Sequence, residues 1–249
     1  MNNVVITRSK NQILDISEMI TQLGMNPVEF PCIEIDSSSY KDSLYGELTN
    51  LNTYDWILFT SRNTIQVLNE IIIENQMDID WKKIKVGAIG PETKKMLINI
   101  FDVEHVFTPK IFNVKSFTDE LPIMPEEKIL VPQSKIADNS IVNNLQEKDI
   151  LVKKIIAYDL KVGTGGENVP KMLKENTVDA VIFTSGSTVT NFVKRTYPED
   201  SKNTPVFCMG ETAYNEALKE GFNFVFKPDK STLIAVSYTH LRAHETILD

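Results

Sequence analysis

Two short turns of one type hold the residues with the most chemical promise. They are Thr-Ser-Arg-Asn-Thr at Thr60 to Thr64 and Thr-Ser-Gly-Ser-Thr at Thr184 to Thr188. Each follows an Asp-led apolar run, DWILF from Asp55 and DAVIF from Asp179, and each precedes a stretch of helical periodicity. That order predicts a strand running into a helix. A helix start exposes up to four unpaired N–H groups and the positive end of the dipole, which suits a carboxylate or a phosphate. A second pair of turns repeats the theme. Gly90-Pro91-Glu92-Thr93 stands in GAIGPETKKML, and Gly210-Glu211-Thr212 in FCMGETAYNEAL. Small residues at Ser61, Gly90, Ser185, Gly186 and Gly210 would let a ligand reach the backbone. The hydroxyls of Ser61, Thr93, Ser185, Ser187 and Thr212 add donors. Ser and Thr also serve simply as helix caps. The recurrence of four such turns as two pairs favours binding.

Other chemistry lacks material. The chain has no G-x-x-x-x-G-K-[ST] loop and no G-x-S-x-G elbow, and TRSKNQ stands where a dinucleotide fingerprint would follow the first strand. No His, Cys and carboxylate residues have metal spacing. His105 is the one histidine outside the last fourteen residues and reads as structural; Cys32 and Cys208 read as buried free thiols. A catalyst of this composition would work mainly by shape, orientation and backbone dipoles. The net charge of −8 argues against nucleic-acid or membrane-surface partners. No apolar run reaches the roughly 18 residues of a membrane span, and no leader opens the chain, so a cytoplasmic protein is expected.

These turns must be positioned by alternating strands and helices. Strand-like runs at Val4 to Thr7, Val28 to Phe30, Asp55 to Thr60, Lys85 to Ile89, Lys128 to Val131, Asp179 to Thr184 and Val206 to Met209 alternate with helical segments. The pattern predicts an α/β fold with doubly wound parallel sheets. It breaks at Phe30 to Ser43 and at Leu151 to Gly166, the natural crossings between two domains. Domain 1 is therefore expected to be discontinuous, 1–35 plus 162–235, and domain 2 to be 42–154, with linkers at 36–41 and 155–161. One large sheet is the simpler rival. The run Gly163 to Gly166 reads as linker. A helix opens at Ser231. The ending, 236–249, differs in style and resembles translated sequencing-adapter DNA; it is set aside as non-native.

With these residues in place, the chain resembles the uroporphyrinogen-III synthase family. The resemblance covers nearly all of residues 1–235. It rests on Thr7-Arg8, DWILFTSRNT, AIGPET, the long strand ending near Tyr158, FTSGST and MGETA. It implies two α/β domains joined by a two-stranded ladder, with the active-site cleft between them. It also implies a cofactor-independent, cyclising hydro-lyase of tetrapyrrole and haem biosynthesis. Such an enzyme closes hydroxymethylbilane with inversion of the terminal pyrrole, giving uroporphyrinogen III and water. Carried over by position, Tyr158 would assist departure of the hydroxyl. Arg8, Ser61, Arg62, Gly90, Thr93, Ser185, Gly186, Ser187, Gly210 and Thr212 would bind substrate. The family often has a Gly-rich turn and an Arg after the strand at Lys128; here the stretch is PQSKIADNS, with Lys135 as the available cation. A monomer is expected, with at most transient contact with the preceding pathway enzyme. The alternative is a non-catalytic two-domain protein that binds a small anion.

Overall fold

The short β-branched runs form two sheets, and parallel pairing runs through both. The computed structural model describes residues 2–9 and 13–227. The chain divides into two compact units, Met1–Glu34 with Lys161–Asp249, and Ile35–Leu160.

The first unit holds β1 (Asn3–Ile6), β2 (Asn26–Glu29), β9 (Ala180–Phe183), β10 (Val206–Cys208) and β11 (Val225–Phe226), in the order β11-β10-β9-β1-β2. Its helices are α1 (Leu14–Gln22), α7 (Val169–Lys174), α8 (Gly186–Arg195), α9 (Pro198–Ser201) and α10 (Glu211–Lys219). β1 and β9 are buried along nearly their whole length, as parallel strands covered on both faces must be. Phe183, Phe192 and Phe222 meet edge to face or tilted, with centroids 5.2 to 6.3 Å apart. Such pairs add about 0.5–1.5 kcal/mol each beyond the area they bury.

The second unit holds β4 (Trp56–Phe59), β5 (Lys85–Ala88), β6 (Val106–Phe107), β7 (Lys128–Ser134) and β8 (Leu151–Val162), with β3 (Ile33–Asp36) beside β8. The order is β3-β8-β7-β4-β5-β6. Its helices are α2 (Lys41–Thr49), α3 (Arg62–Glu74), α4 (Pro91–Phe101), α5 (Val114–Glu120) and α6 (Ser140–Gln146). The chain passes between the units twice, within β3 and within β8.

The aspartates that lead the two repeats have one job. The Asp55 carboxylate accepts from the Lys128 N–H at 2.8 Å, and the Asp179 carboxylate accepts from the Asn3 N–H at 2.7 Å. Each ties its own strand to the first residue of the neighbouring strand.

Two details differ from the sequence reading. α9 lies where no element is predicted, and so does α7. Its signal is a single buried pair, Val169 and Leu173, and Pro170 in its first turn is a helix-compatible proline that a simple scan takes as a breaker. The run Gly163 to Gly166 packs against the end of β2. A Cβ on Gly163 would lie 2.2 Å from the Pro31 carbonyl oxygen, and one on Gly166 (φ +71) would lie 2.4 Å from that of Glu29. Arg195 from α8 bonds the Pro31 and Gly165 carbonyls and lies 4.0 Å over the Phe30 ring. The helix expected at Ser231 and the tail at 236–249 lie outside the described residues.

Candidate functional site

In open parallel sheets, ligands gather outside the carboxyl ends of the strands, where the winding direction reverses. Strand order places that reversal between β4 and β7 in the second unit, and between β1 and β9 in the first. The turn Thr60 to Thr64 leaves β4, and Arg8 and the turn Thr184 to Thr188 follow β1 and β9. Gly90 and Gly210 stand one strand away from each reversal, after β5 and β10.

In the second unit, Ser61 caps α3. Its extended backbone (φ −148, ψ 142) aims Oγ at the helix end, where it accepts from the Asn63 N–H at 3.1 Å. The same Oγ accepts from the Tyr158 hydroxyl at 3.3 Å. β7 delivers this pairing. A register shift between Gln133 and Ser134 brings Tyr158 opposite Ser134. Tyr158 is only 4% exposed and packs within the α3 side of the core. Arg62, next in the turn, is exposed. Gly90 caps α4 without a side chain, and Pro91 behind it has no N–H, so the free donors of this start are the Glu92 and Thr93 amides. The Thr93 side chain is buried, which leaves its backbone N–H as its outward group. Glu92 places a carboxylate in the same first turn.

Beside Tyr158, the Lys135 N–H donates to the Tyr158 carbonyl at 2.8 Å, and its ammonium lies 2.9 Å from the Asp159 carboxylate. The Lys135 hydrogen bond holds the Asp159 carboxyl below its usual range, and the same contact raises Lys135.

In the first unit, Ser185 caps α8 in a complete capping box. Its Oγ accepts from the Thr188 N–H at 3.4 Å. The Thr188 hydroxyl accepts from the Ser185 and Thr184 N–H groups and donates to the Ser185 carbonyl at 2.7 Å. Ser185 and Ser187 hydroxyls are 2.9 Å apart. Gly186 is small for a packing reason: a Cβ there would stand 3.2 Å from the Thr212 carbonyl oxygen of α10. Gly210 faces open space, Thr212 is exposed, and Glu211 of the same start pairs with Lys227. Arg8 is half-buried at the end of β1; Thr7 beside it is buried and donates to the Ile182 carbonyl at 2.7 Å.

Among the described residues, buried side-chain oxygens without a hydrogen-bond partner include Ser9 Oγ after β1, Thr64 Oγ1 and Gln66 Oε1 in α3, and Gln133 Oε1 on β7. The sequence reading did not single them out. For Gln133, a polar residue directly after the apolar strand KILVP was the available signal.

Among the described residues, no group of three or more His, Cys, Asp or Glu is placed to hold a metal ion, and no helix is long and apolar enough to cross a membrane. Cys32 and Cys208 are free and buried. Burial pushes both thiols up to about 12, against the pull of Arg195 in the case of Cys32, so neither is a thiolate nucleophile at neutral pH.

The chain is similar in sequence and in fold to known proteins. A family model described as "Uroporphyrinogen-III synthase HemD" matches residues 15–236. "Porphyrin biosynthesis protein HemD" of Ruminiclostridium josui is 28% identical over 92% of the chain, which spans 46% of that protein's length. A "Putative uroporphyrinogen-III synthase" of Methanocaldococcus jannaschii is 29% identical, over 88% of the chain and 90% of the relative. In fold, the chain is similar to uroporphyrinogen-III synthetase from Helicobacter pylori (TM-score 0.65, 16% identity, 99% of this chain and 100% of that one). It is similar also to a mutant uroporphyrinogen III synthase from Thermus thermophilus (TM-score 0.62, 16% identity, the same coverage).

Proposed function

Since the chain belongs to the uroporphyrinogen-III synthase family, we propose that it cyclises hydroxymethylbilane to uroporphyrinogen III, releasing water, as a lyase that needs no cofactor. The observation that carries the reading is the Tyr158–Ser61 hydrogen bond at the winding reversal of the second unit. A phenol held there by a helix-capping serine is a positioned proton donor. In the proposed step Ser61 gives its proton to the departing hydroxyl of the bilane and takes the Tyr158 proton in its place, so that water leaves and an electrophilic methylene remains. Ser61 accepts two hydrogen bonds in this arrangement, so its own proton is directed outward, toward a substrate oxygen.

The substrate carries eight carboxylates. The amides at the start of α4, with Arg62, Gly90 and Thr93, are assigned to them in the second unit. Arg8, Ser185, Gly186, Ser187, Gly210 and Thr212 are assigned the same role from the first. The closed capping box narrows what Ser185 offers: its turn contributes backbone N–H groups and Ser187 more than the Thr188 hydroxyl. Left alone, the bilane closes without inversion. The catalyst must therefore hold the terminal ring so that its substituted carbon attacks, and orientation is much of the rate gain. We assign the enzyme to the cytoplasm as a monomer, with at most transient contact with the enzyme that makes the bilane.

The test is an isomer analysis. The purified protein is supplied with hydroxymethylbilane, and the oxidised porphyrins are resolved. Isomer III should exceed the spontaneous isomer I background. A product mixture no different from the protein-free control would sink the catalytic reading and leave a carboxylate-binding protein.

A further inference from the structure

The chain has two tryptophans, Trp56 and Trp81, and both line one cavity of about 560 Å³ in the second unit. That size lies within the roughly 300–1,000 Å³ typical of small-molecule sites. The cavity sits at the amino ends of the strands. Trp56 is the first residue of β4, Lys85 the first of β5, and His105 just precedes β6. The Ser61 turn is at the other end of β4, about 10 Å along a four-residue strand. Nothing in the proposed reaction uses this edge.

The lining suits a flat ring. Trp81 stacks on Phe101 at 4.4 Å, and Phe107 meets Trp56 edge to face at 6.4 Å. Buried Val86 and Val103 add an apolar floor. The rim carries Lys82, Lys83, Lys85 and His105 against Asp102 and Glu104. α4 also ends here, with Asp102 as its C-cap, so its carbonyls add negative potential that the lysines offset.

The lysines differ in availability. Lys85 is committed to Glu127, which also accepts from the Trp56 indole at 3.0 Å. Lys82 pairs with Glu104 at 3.0 Å and Lys83 with Asp80 at 3.2 Å, and all four of those side chains are more than half exposed. Exposed pairs of this kind contribute little and exchange readily for another anion.

We propose that this cavity is a second ligand site, for a flat aromatic ring bearing an acidic group. The ring lies in the cavity against Trp81 and Phe107, over the buried Trp56, and the acid replaces Glu104 and Asp80 at Lys82 and Lys83. The site is independent of the catalytic assignment.

The probe is anilinonaphthalenesulfonate, compared with N-phenylnaphthylamine, the same ring system without the sulfonate. Both tryptophans report on the cavity, so binding is read as energy transfer from tryptophan to dye. One equivalent of the sulfonate should bind, and added salt should weaken it while sparing the neutral parent. The double variant Lys82→Glu with Lys83→Glu should weaken the sulfonate about tenfold and leave the parent within about twofold. Both lysines are exposed, so the melting curve should stay in place. Three results would each overturn the proposal: no binding of the sulfonate, equal affinity in the double variant, or equal loss for both dyes.

Discussion

The turns Thr60 to Thr64 and Thr184 to Thr188 share the pattern Thr-Ser-x-x-Thr, yet they use their polar groups differently. Around Ser185 the box is closed, and the Thr188 hydroxyl bonds two N–H groups and one carbonyl of its own turn. Around Ser61 it is open. Ser61 bonds the Asn63 N–H and the Tyr158 hydroxyl, while Thr64, fully buried at the position matching Thr188, has a hydroxyl with no partner. Local sequence does not explain the contrast. What differs is a long-range neighbour: β8 brings a phenol to one turn, and among the described residues no phenol hydrogen-bonds to the other. A cap is worth about 1 kcal/mol, and a buried unpaired polar group costs about 1–3 kcal/mol. The second unit therefore tolerates a local cost at its winding reversal. Departures from local rules of this kind concentrate at functional sites, which is why the catalytic assignment rests on the Ser61 turn.

The largest expected effect tests that assignment. Tyr158→Phe keeps the ring in the core and removes the proton. If the phenol assists hydroxyl departure, kcat should fall about 100-fold, the lower end for a general acid, with KM within about twofold. Unchanged kcat would reduce Tyr158 to a packing residue and make the two turns equivalent in function. The next effect belongs to the closed turn. Thr188→Val deletes a hydroxyl that satisfies the Thr184 and Ser185 N–H groups, and chemical denaturation should show a loss of about 2 kcal/mol. A loss below about 0.5 kcal/mol would mean that the box contributes little. Ser61→Ala and Ser185→Ala then separate the roles: each should cost about 1 kcal/mol of stability as a lost cap. Only Ser61→Ala should also lower kcat. Parallel loss of kcat in both would erase the distinction between the two turns.

Much of this was readable from residue order. The capped turns, the glycine at α1's end and the long run that became β8 are local or nearly local, and local preferences describe them well. Gly24 does end α1, in the left-handed region at φ +79. The leading Asp of each repeat was visible as a pattern, but its partner was not, because Asp55 reaches Lys128 and Asp179 reaches Asn3 across the sheet. Strand order, which selects the two reversals, depends on crossovers that no short window encodes. Tyr158 and Ser61 stand 97 residues apart, and the irregular register at Gln133 and Ser134 brings the tyrosine into line. Only family resemblance singled Tyr158 out beforehand. The orphaned hydroxyl of Thr64 was the least visible feature, since in sequence it is indistinguishable from Thr188.

That hydroxyl gives the smallest effect and the sharpest contrast. Thr64→Val replaces a side chain of nearly the same shape and removes only the polar atom. Where both shape and backbone are kept and the lost oxygen had no partner, no hydrogen bond is forfeited and a desolvation cost disappears. Stability should therefore stay level or rise by up to about 1 kcal/mol, against the loss of about 2 kcal/mol expected for Thr188→Val. The two substitutions are chemically identical and occupy matching positions, so their difference isolates the state of the box. A loss for Thr64→Val as large as that for Thr188→Val would mean that the Ser61 box closes in solution.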